Sequence, residues 1–131
     1  LGGIGAVSLF VAAIGIANTM MMSIYERTKE IGVIKVLGCD MRNIRSMFLL
    51  EAGGIGFFGG LIGLILSEII SVIINSVAGK ASGGYYGQLS FIPLWLILVS
   101  LIFAVLVGML AGFFPALRAM KLSPLAAIRN E

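Results

Sequence analysis

Long apolar segments separated by short polar ones dominate the sequence. Three segments, at about 1–24, 52–78 and 93–114, are each long enough to cross a hydrocarbon core of about 30 Å, because roughly 20 helical residues suffice. None of them alternates polar and apolar residues as a strand of a membrane β-barrel does. Since lipid offers no hydrogen-bonding partner to the backbone, the pattern predicts an all-α membrane protein, with three transmembrane helices in a single domain over 1–131.

Residues 26–48, between the first and second apolar segments, have the pattern of an ordered elbow. The first part, 26–37, consists of good helix formers, and apolar side chains recur there at spacings of three and four. Gly38 fits the position just after a helix C-terminus, and Asp40 fits the N-cap of a following helix. We therefore expect an amphipathic helix, a tight turn and a second helix that feeds the next span. The alternative is a solvated loop whose cations only set the topology.

Composition and charge placement agree with a membrane protein. The chain is 60% hydrophobic and only 11% charged, which is far from a soluble globular domain. The basic residues of the elbow are Arg27, Lys29, Lys35, Arg42 and Arg45, those after the third segment are Arg118, Lys121 and Arg129, and Lys80 stands alone between the second and third segments. The positive-inside rule therefore places the elbow and the C-terminus in the cytoplasm and the loop at 79–90 outside. Nucleic acid is not an expected partner, because acidic residues interrupt the basic ones and all of them sit beside lipid.

Glycines in the second and third apolar segments recur at intervals that let two membrane helices approach closely. The helix-packing residues expected on this basis are Gly56, Gly59, Gly60, Gly63, Gly108 and Gly112. So many glycines would lower the stability of a helix that faces only lipid. A close-packed interface is therefore favoured over glycine that is merely tolerated.

Glu68 is the one ionisable residue well inside a predicted span, about 21 Å along a helix from Gly54. An intramembrane carboxylate is by default a candidate functional site. Two plainer interpretations are a hydrogen bond to Ser67, Ser71 or Asn75, and a position close to the outer interface. No Lys, Arg or His lies within a span as a relay partner, which favours the plainer interpretations.

The two ends of the chain carry further expectations. Pro115 should bend or interrupt the third helix as it leaves the membrane. Ser123 and Pro124 fit the start of a short cytoplasmic helix that ends near Arg129. Because Leu1 is not a start methionine and no polar flank precedes the first apolar segment, we expect the chain to be the C-terminal part of a larger protein.

Several kinds of active site are excluded by the residues that are missing. The sequence has no histidine, a single cysteine, no cluster of acidic residues and no glycine-rich loop followed by Lys-Ser/Thr. No catalytic, cofactor-binding or metal-binding residues are therefore predicted, and no cofactor is expected.

Three stretches of the sequence carry a family resemblance. Residues 26–38 read ERTKEIGVIKVLG, residues 42–51 read RNIRSMFLLE, and residues 115–129 read PALRAMKLSPLAAIR. In this order they resemble the motifs ERTxEIGxxKxLG, RxIxxxFLLE and PAxxAxxxxPxxALR of FtsX/MacB-type (FtsX-like) ABC transporter permeases. The one departure, Ile128 where leucine is usual, is minor for packing.

The resemblance implies that the chain is the C-terminal membrane region of such a permease, holding the last three of four transmembrane helices. The implied partners are a MacB/LolD-like cytoplasmic ABC ATPase, a second permease in a dimer, membrane lipid and an accessory protein on the outer side. ATP would be hydrolysed on a separate ATPase domain or subunit, so the chain itself is not expected to be an enzyme. The implied location is the plasma (inner) membrane of a bacterium or archaeon.

By the same resemblance, the elbow helix is a coupling helix that passes movement of the ATPase to the outer side of the membrane. That movement would serve mechanotransmission or the export of a peptide, lipoprotein or drug. The expected ATPase contacts are Glu26, Arg27, Lys29 and Glu30, with Ile31, Ile34 and Leu37 anchoring the helix.

Two other functions stay open from the sequence. The first is a secondary transporter in which Glu68 carries protons or cations, without an ATPase partner. The second is a scaffold permease of the cell-division kind, which controls a cell-wall hydrolase instead of transporting a substrate.

Overall fold

In the computed structural model the chain forms four α-helices, and the structure describes residues 1–81, 83 and 89–121. The helices are α1 (Gly2–Glu26), α2 (Thr28–Val36), α3 (Met41–Ala81) and α4 (Leu94–Lys121). No strand occurs within these described residues. By length and composition α1, α3 and α4 could each cross a membrane, which confirms the predicted all-α fold with three long apolar helices.

The helix boundaries differ from the expected ones at the elbow. The second helix predicted for the elbow and the second span form one continuous helix of 41 residues, α3, which begins at Met41. No glycine or proline interrupts the stretch from Met41 to Glu51, so nothing in it breaks the helix before the span. At the other side of the elbow, α1 continues to Glu26 and only Arg27 separates it from α2.

Pro115 does not interrupt α4, which continues to Lys121. Proline lacks the N–H group that would bond the carbonyl four residues earlier, so a bend or an interruption was the sequence-based expectation, and the interruption does not occur. Pro115 is buried and is followed by Ala116 and Ala119, both of which are fully buried. Packing of these residues against the rest of the bundle holds the last turns of α4 helical. The helix expected from Ser123 onward lies outside the described residues.

Close approach of α3 and α4 depends on glycine. A Cβ atom built on Gly56 would collide with the backbone oxygen of Ala104, and one on Gly60 would lie 2.7 Å from the Ala104 Cβ. On the facing helix, a Cβ atom on Gly108 would lie 2.6 Å from the backbone oxygen of Ala52. The two backbones therefore pack at a distance that any larger residue would prevent.

The remaining glycines expected to pack divide into two groups. Gly112 lies in the same contact, because a Cβ atom there would collide with the Ala52 Cβ. Gly59 and Gly63 have no atom within 4 Å of such a Cβ and lie on the exposed side of α3. The structure therefore brings one of the two glycine repeats of α3 into contact with α4. The other repeat, Gly59 and Gly63, lies outside that contact.

The first helix is held less closely than the α3–α4 pair. Helix α1 contacts α4 more extensively than α3. A crevice of about 320 Å³ separates α1 from the pair, with Leu9 and Ile16 on one wall and Ile55 and Phe103 on the other.

Polar side chains tie α3 to the segment that leads into α4, at the end of the bundle opposite α2. The amide oxygen of Asn75 accepts bonds from the N–H groups of Leu89 (3.0 Å) and Ser90 (2.9 Å), and its Nδ2 donates to the Ser90 oxygen at 2.7 Å. The hydroxyl of Ser71, which is 6% exposed, lies 2.7 Å from that of Ser90. This cluster fixes the end of the α3–α4 pair.

The glycine contact predicts unequal effects of the same substitution at neighbouring glycines. Gly56→Ala should lower the free energy of unfolding by about 1–3 kcal/mol, the usual cost of forcing extra volume into a packed contact. Gly59→Ala is the matched control, and it should be neutral or raise the stability by up to about 1 kcal/mol, because alanine favours helix. Circular dichroism during titration of detergent-solubilised protein with dodecyl sulfate measures both. Equal losses at the two positions would contradict the assigned contact.

Candidate functional site

A cluster of buried apolar side chains joins all four helices at the end of the bundle that holds α2. Its members are Met20 and Ile24 of α1, Ile31 of α2, Ile44, Phe48 and Ala52 of α3, and Ala116 and Ala119 of α4. Phe48, Met20 and Ile31 are the largest fully buried side chains among the described residues. We call this set the junction cluster. It seats the short helix α2 against all three long helices.

The joint between α1 and α2 is one residue long. Arg27 leaves the helical conformation, with φ −99° and ψ 13°. The hydroxyl of Thr28 lies 2.9 and 3.0 Å from the carbonyl oxygens of Ile24 and Tyr25, so its single proton is shared between two acceptors at the end of α1. Arg27 also approaches Glu51 of α3 at 3.9 Å, in a pair of partly exposed side chains.

The turn after α2 has the geometry that the sequence predicts. Gly38 adopts φ 82°, a conformation open to glycine at low cost. The N–H of Gly38 donates to the carbonyl oxygen of Lys35 at 3.1 Å, and the N–H of Cys39 donates to the carbonyl oxygen of Ile34 at 3.2 Å. Together these two hydrogen bonds form a Schellman motif. The Asp40 carboxylate accepts the N–H of Arg42 at 3.3 Å and caps α3. Short, hydrogen-bonded joints therefore hold both ends of α2.

Helix α2 has an inner face and an exposed face. Ile31 is 2% exposed, and Ile34 packs partly buried against the junction cluster. The exposed face carries three apolar side chains: Val33 is 51%, Val36 66% and Leu37 80% exposed. Leu37, expected to anchor the helix, is not among the buried residues of the junction cluster, and its anchoring role stays a prediction.

The charged residues expected to meet an ATPase lie around this exposed face. Lys29 and Glu30 are exposed on the first turn of α2, and Glu26 is exposed at the last residue of α1. Arg27 occupies the joint itself, half exposed. We call Lys29, Glu30, Val33, Val36 and Leu37 together the α2 face.

Lys35 makes a contact that sequence reasoning missed. Its Nζ donates to the carbonyl oxygens of Ala119 at 3.1 Å and Met120 at 2.7 Å, in the last turn of α4. Partial burial, which removes the ammonium group from water, lowers the pKa of Lys35 below its usual range. Lys35 and its acceptors lie 84 and 85 residues apart in sequence, so no local pattern could have revealed the pairing.

Glu68 lies exposed on α3, and no described residue pairs with its carboxylate. Two of its suggested partners, Ser71 and Asn75, bond Ser90 instead. No group of three potential metal-binding side chains occurs within residues 1–81, 83 and 89–121. Within the described residues, the candidate site is therefore α2, with its exposed apolar and charged side chains.

Comparison with known proteins identifies the family. The model of the FtsX-like permease C-terminal family matches residues 2–124. The chain is 43% identical over 129 residues to an uncharacterized ABC transporter permease of Methanocaldococcus jannaschii, covering 98% of this chain and 32% of that protein. It is 38% identical to the ABC transporter permease YtrF of Bacillus subtilis, covering 98% of this chain and 31% of that protein.

A third relative carries a more specific name. The macrolide export ATP-binding/permease protein MacB of Bdellovibrio bacteriovorus is 38% identical over 131 residues, covering 100% of this chain and 19% of that protein. The chain thus spans a third or less of the length of these relatives. Because the family model and all three relatives match it along nearly its whole length, the chain belongs to the FtsX-like permease family, of the FtsX/MacB type.

Proposed function

We propose that the chain is the membrane-spanning permease part of an ABC transporter, which passes the movement of a cytoplasmic ABC ATPase to the other side of the membrane. One observation carries the proposal: α2 shares a buried apolar cluster with all three long helices through Ile31 and still presents an exposed, partly apolar face. A force applied to that face would therefore be passed to the helices that share the cluster.

The α2 face has the composition of a protein-binding surface. Val33, Val36 and Leu37 are exposed next to Lys29 and Glu30, so an apolar centre is bordered by charges. Such an arrangement is typical of protein interfaces, where apolar contact supplies affinity and the charged rim supplies orientation. The short joints at both ends of α2 suit a lever, since a flexible loop would absorb displacement.

The names of relatives support an ABC ATPase as the partner. The Bdellovibrio bacteriovorus protein combines ATP-binding and permease in its name, and the Bacillus subtilis relative is named as an ABC transporter permease. We infer that ATP is hydrolysed on a separate domain or subunit that docks on the α2 face.

The charge distribution supports a cytoplasmic position for α2. The structure brings the basic residues of α2 and the start of α3 to the same end of the bundle as the end of α4, where Lys35 contacts Met120. Lys80 is the one basic residue at the opposite end among the described residues. By the positive-inside rule, the α2 end faces the cytoplasm of a bacterial or archaeal cell.

For the outer side of the membrane, the proposal rests on the family and not on contacts among the described residues. We infer that the delivered movement drives export of a peptide, lipoprotein or drug, or controls an outer partner. A permease dimer belongs to the same proposal, and the exposed Gly63, with no atom within 4 Å of an added Cβ, leaves space on α3 for another helix.

The α2 face predicts where a substitution weakens ATPase binding. Leu37→Ser should raise the dissociation constant by roughly 10- to 100-fold, since burying a leucine side chain contributes about 1.5–3 kcal/mol. Leu50→Ser is the control, because Leu50 is 72% exposed on α3, outside the α2 face. Titration of the purified ATPase onto detergent-solubilised protein measures both. An equal effect of the two substitutions would remove the α2 face from the interface.

The proposed orientation predicts which side of the membrane a thiol reagent reaches. In a Cys39→Ala background, Leu37→Cys should react with a membrane-impermeant maleimide only in inverted vesicles. Lys80→Cys should react only in intact cells or right-side-out vesicles, because it lies at the opposite end of the bundle. Labelling of Leu37→Cys from outside would overturn the orientation and, with it, docking of a cytoplasmic ATPase.

A further inference from the structure

The covalent chain does not set the route by which a displacement of α2 reaches α4. Helix α2 is joined to α1 through Arg27 and to α3 through the turn at 37–40, whereas α4 begins at Leu94. Movement of α2 therefore passes directly to α4 only through noncovalent contacts. Those contacts decide whether all three long helices respond together.

The apolar contact between α2 and α4 holds the two helices together without fixing their register. Ile31 shares the junction cluster with Ala116 and Ala119, which present only methyl groups. Dispersion contacts between such surfaces have little directionality. Sliding of packed helices past one another is a common form of protein motion. Apolar packing alone would let α2 shift along α4.

Lys35 adds a directional contact at the same place. It lies one helical turn after Ile31 on the inner face, and its Nζ bonds two successive carbonyl oxygens of α4, those of Ala119 and Met120. The last carbonyls of a helix have no partner inside the helix and form the negative end of its dipole, so an ammonium group is well suited to them. Among the described residues, Lys35 supplies every hydrogen bond between α2 and α4.

Neutralising the end of α4 does not by itself require Lys35. The last turn of α4 carries its own cations, Arg118 and Lys121, which are both exposed. The other charged contact of the elbow, Arg27 with Glu51, leads to α3 and spans 3.9 Å between partly exposed groups. Pairs of that kind contribute little. What Lys35 adds is a connection between two elements that lie far apart in the chain.

We propose that Lys35 is a positioning residue that fixes the register of α2 against the end of α4, so that the two helices move as one body. This inference rests on the proposed function, in which an ATPase displaces α2. With the connection in place, the displacement reaches α4 directly as well as through α3. Without it, part of the displacement is lost as sliding at the junction cluster.

Spin-label distances in the intact native protein, assembled with its ATPase, test the connection. One label goes on the native Cys39, directly after α2, and the other on Leu110→Cys, which is exposed on α4. Lys35→Met keeps the apolar stem and removes the donors, Lys35→Arg keeps charge and donors, and Lys121→Met removes a neighbouring cation as the control. We expect a narrow distance distribution in the labelled protein that keeps Lys35, in Lys35→Arg and in Lys121→Met. We expect a broad distribution in Lys35→Met. An equally narrow distribution in Lys35→Met overturns the inference.

A second pair of labels measures the movement that arrives at the other end. In a Cys39→Ala background, labels on Ile4→Cys of α1 and Leu94→Cys of α4 should report a distance change on addition of ATP. We expect this change to be lost in Lys35→Met and restored in Lys35→Arg. Retention of the full change in Lys35→Met overturns the proposed role. If Lys35→Met does not fold, Lys35→Gln, whose shorter side chain is polar, replaces it with the same expected results.

ATPase affinity separates a failure of this inference from a failure of the proposed function. We expect Lys35→Met to bind the ATPase as tightly as the native protein does, because Lys35 lies outside the α2 face. Loss of binding in this variant would mean that Lys35 shapes the docking surface, which overturns the inference and leaves the proposed function standing. Absence of ATPase binding by the native protein would remove the proposed function, while the first pair of labels, measured in the permease alone, still tests the connection.

Discussion

The concentration of apolar burial at one end of the bundle is the constraint on which this structure depends. Lipid hydrocarbon does not drive apolar side chains together, so membrane helices are not held together by the hydrophobic effect along their length. At the α2 end, side chains from all four helices bury one another around Phe48 and Ile31. A short helix with both ends in tight joints is thereby given a fixed seat, which its nine residues could not secure alone.

The three long helices are not equivalent. Helices α3 and α4 form a pair fixed at three levels: the junction cluster, the glycine contact around Gly56 and Gly108, and the hydrogen bonds of Asn75. Helix α1 is joined to that pair mainly through α4 and at the junction cluster, and an apolar crevice runs beside it. The structure therefore combines a rigid two-helix unit with a third helix that can shift at lower energetic cost.

The sequence predicts what depends on local pattern and composition. The apolar segments indicate the three long helices, and Gly38 and Asp40 indicate the turn after α2, because capping is a property of adjacent residues. The glycine spacing indicates a close contact, yet it does not distinguish Gly56 and Gly60 from Gly59 and Gly63, since both repeats look alike in one dimension. That choice is made by the rotation of α3 against α4.

Features that depend on contacts between distant residues are not predicted from the sequence. The seat of Lys35 on α4 follows from the meeting of two helix ends, and the outward direction of Leu37 follows from the turn that ends α2. A bend or an interruption at Pro115 was expected from its lost hydrogen bond, whereas α4 continues through it, with Ala116 and Ala119 buried beyond it. In each case a tertiary contact overrides or completes the local signal.

The length of α3 has a geometric consequence. At 1.5 Å per residue its 41 residues extend about 60 Å, roughly twice the thickness of the hydrocarbon layer. If the apolar stretch that starts at Ala52 fills that layer, the ten or so residues before it form a stem that rises about 15 Å clear of the lipid tails. The α2 face is then carried beyond the headgroups on a rigid support. A large globular neighbour can reach it without displacing lipid.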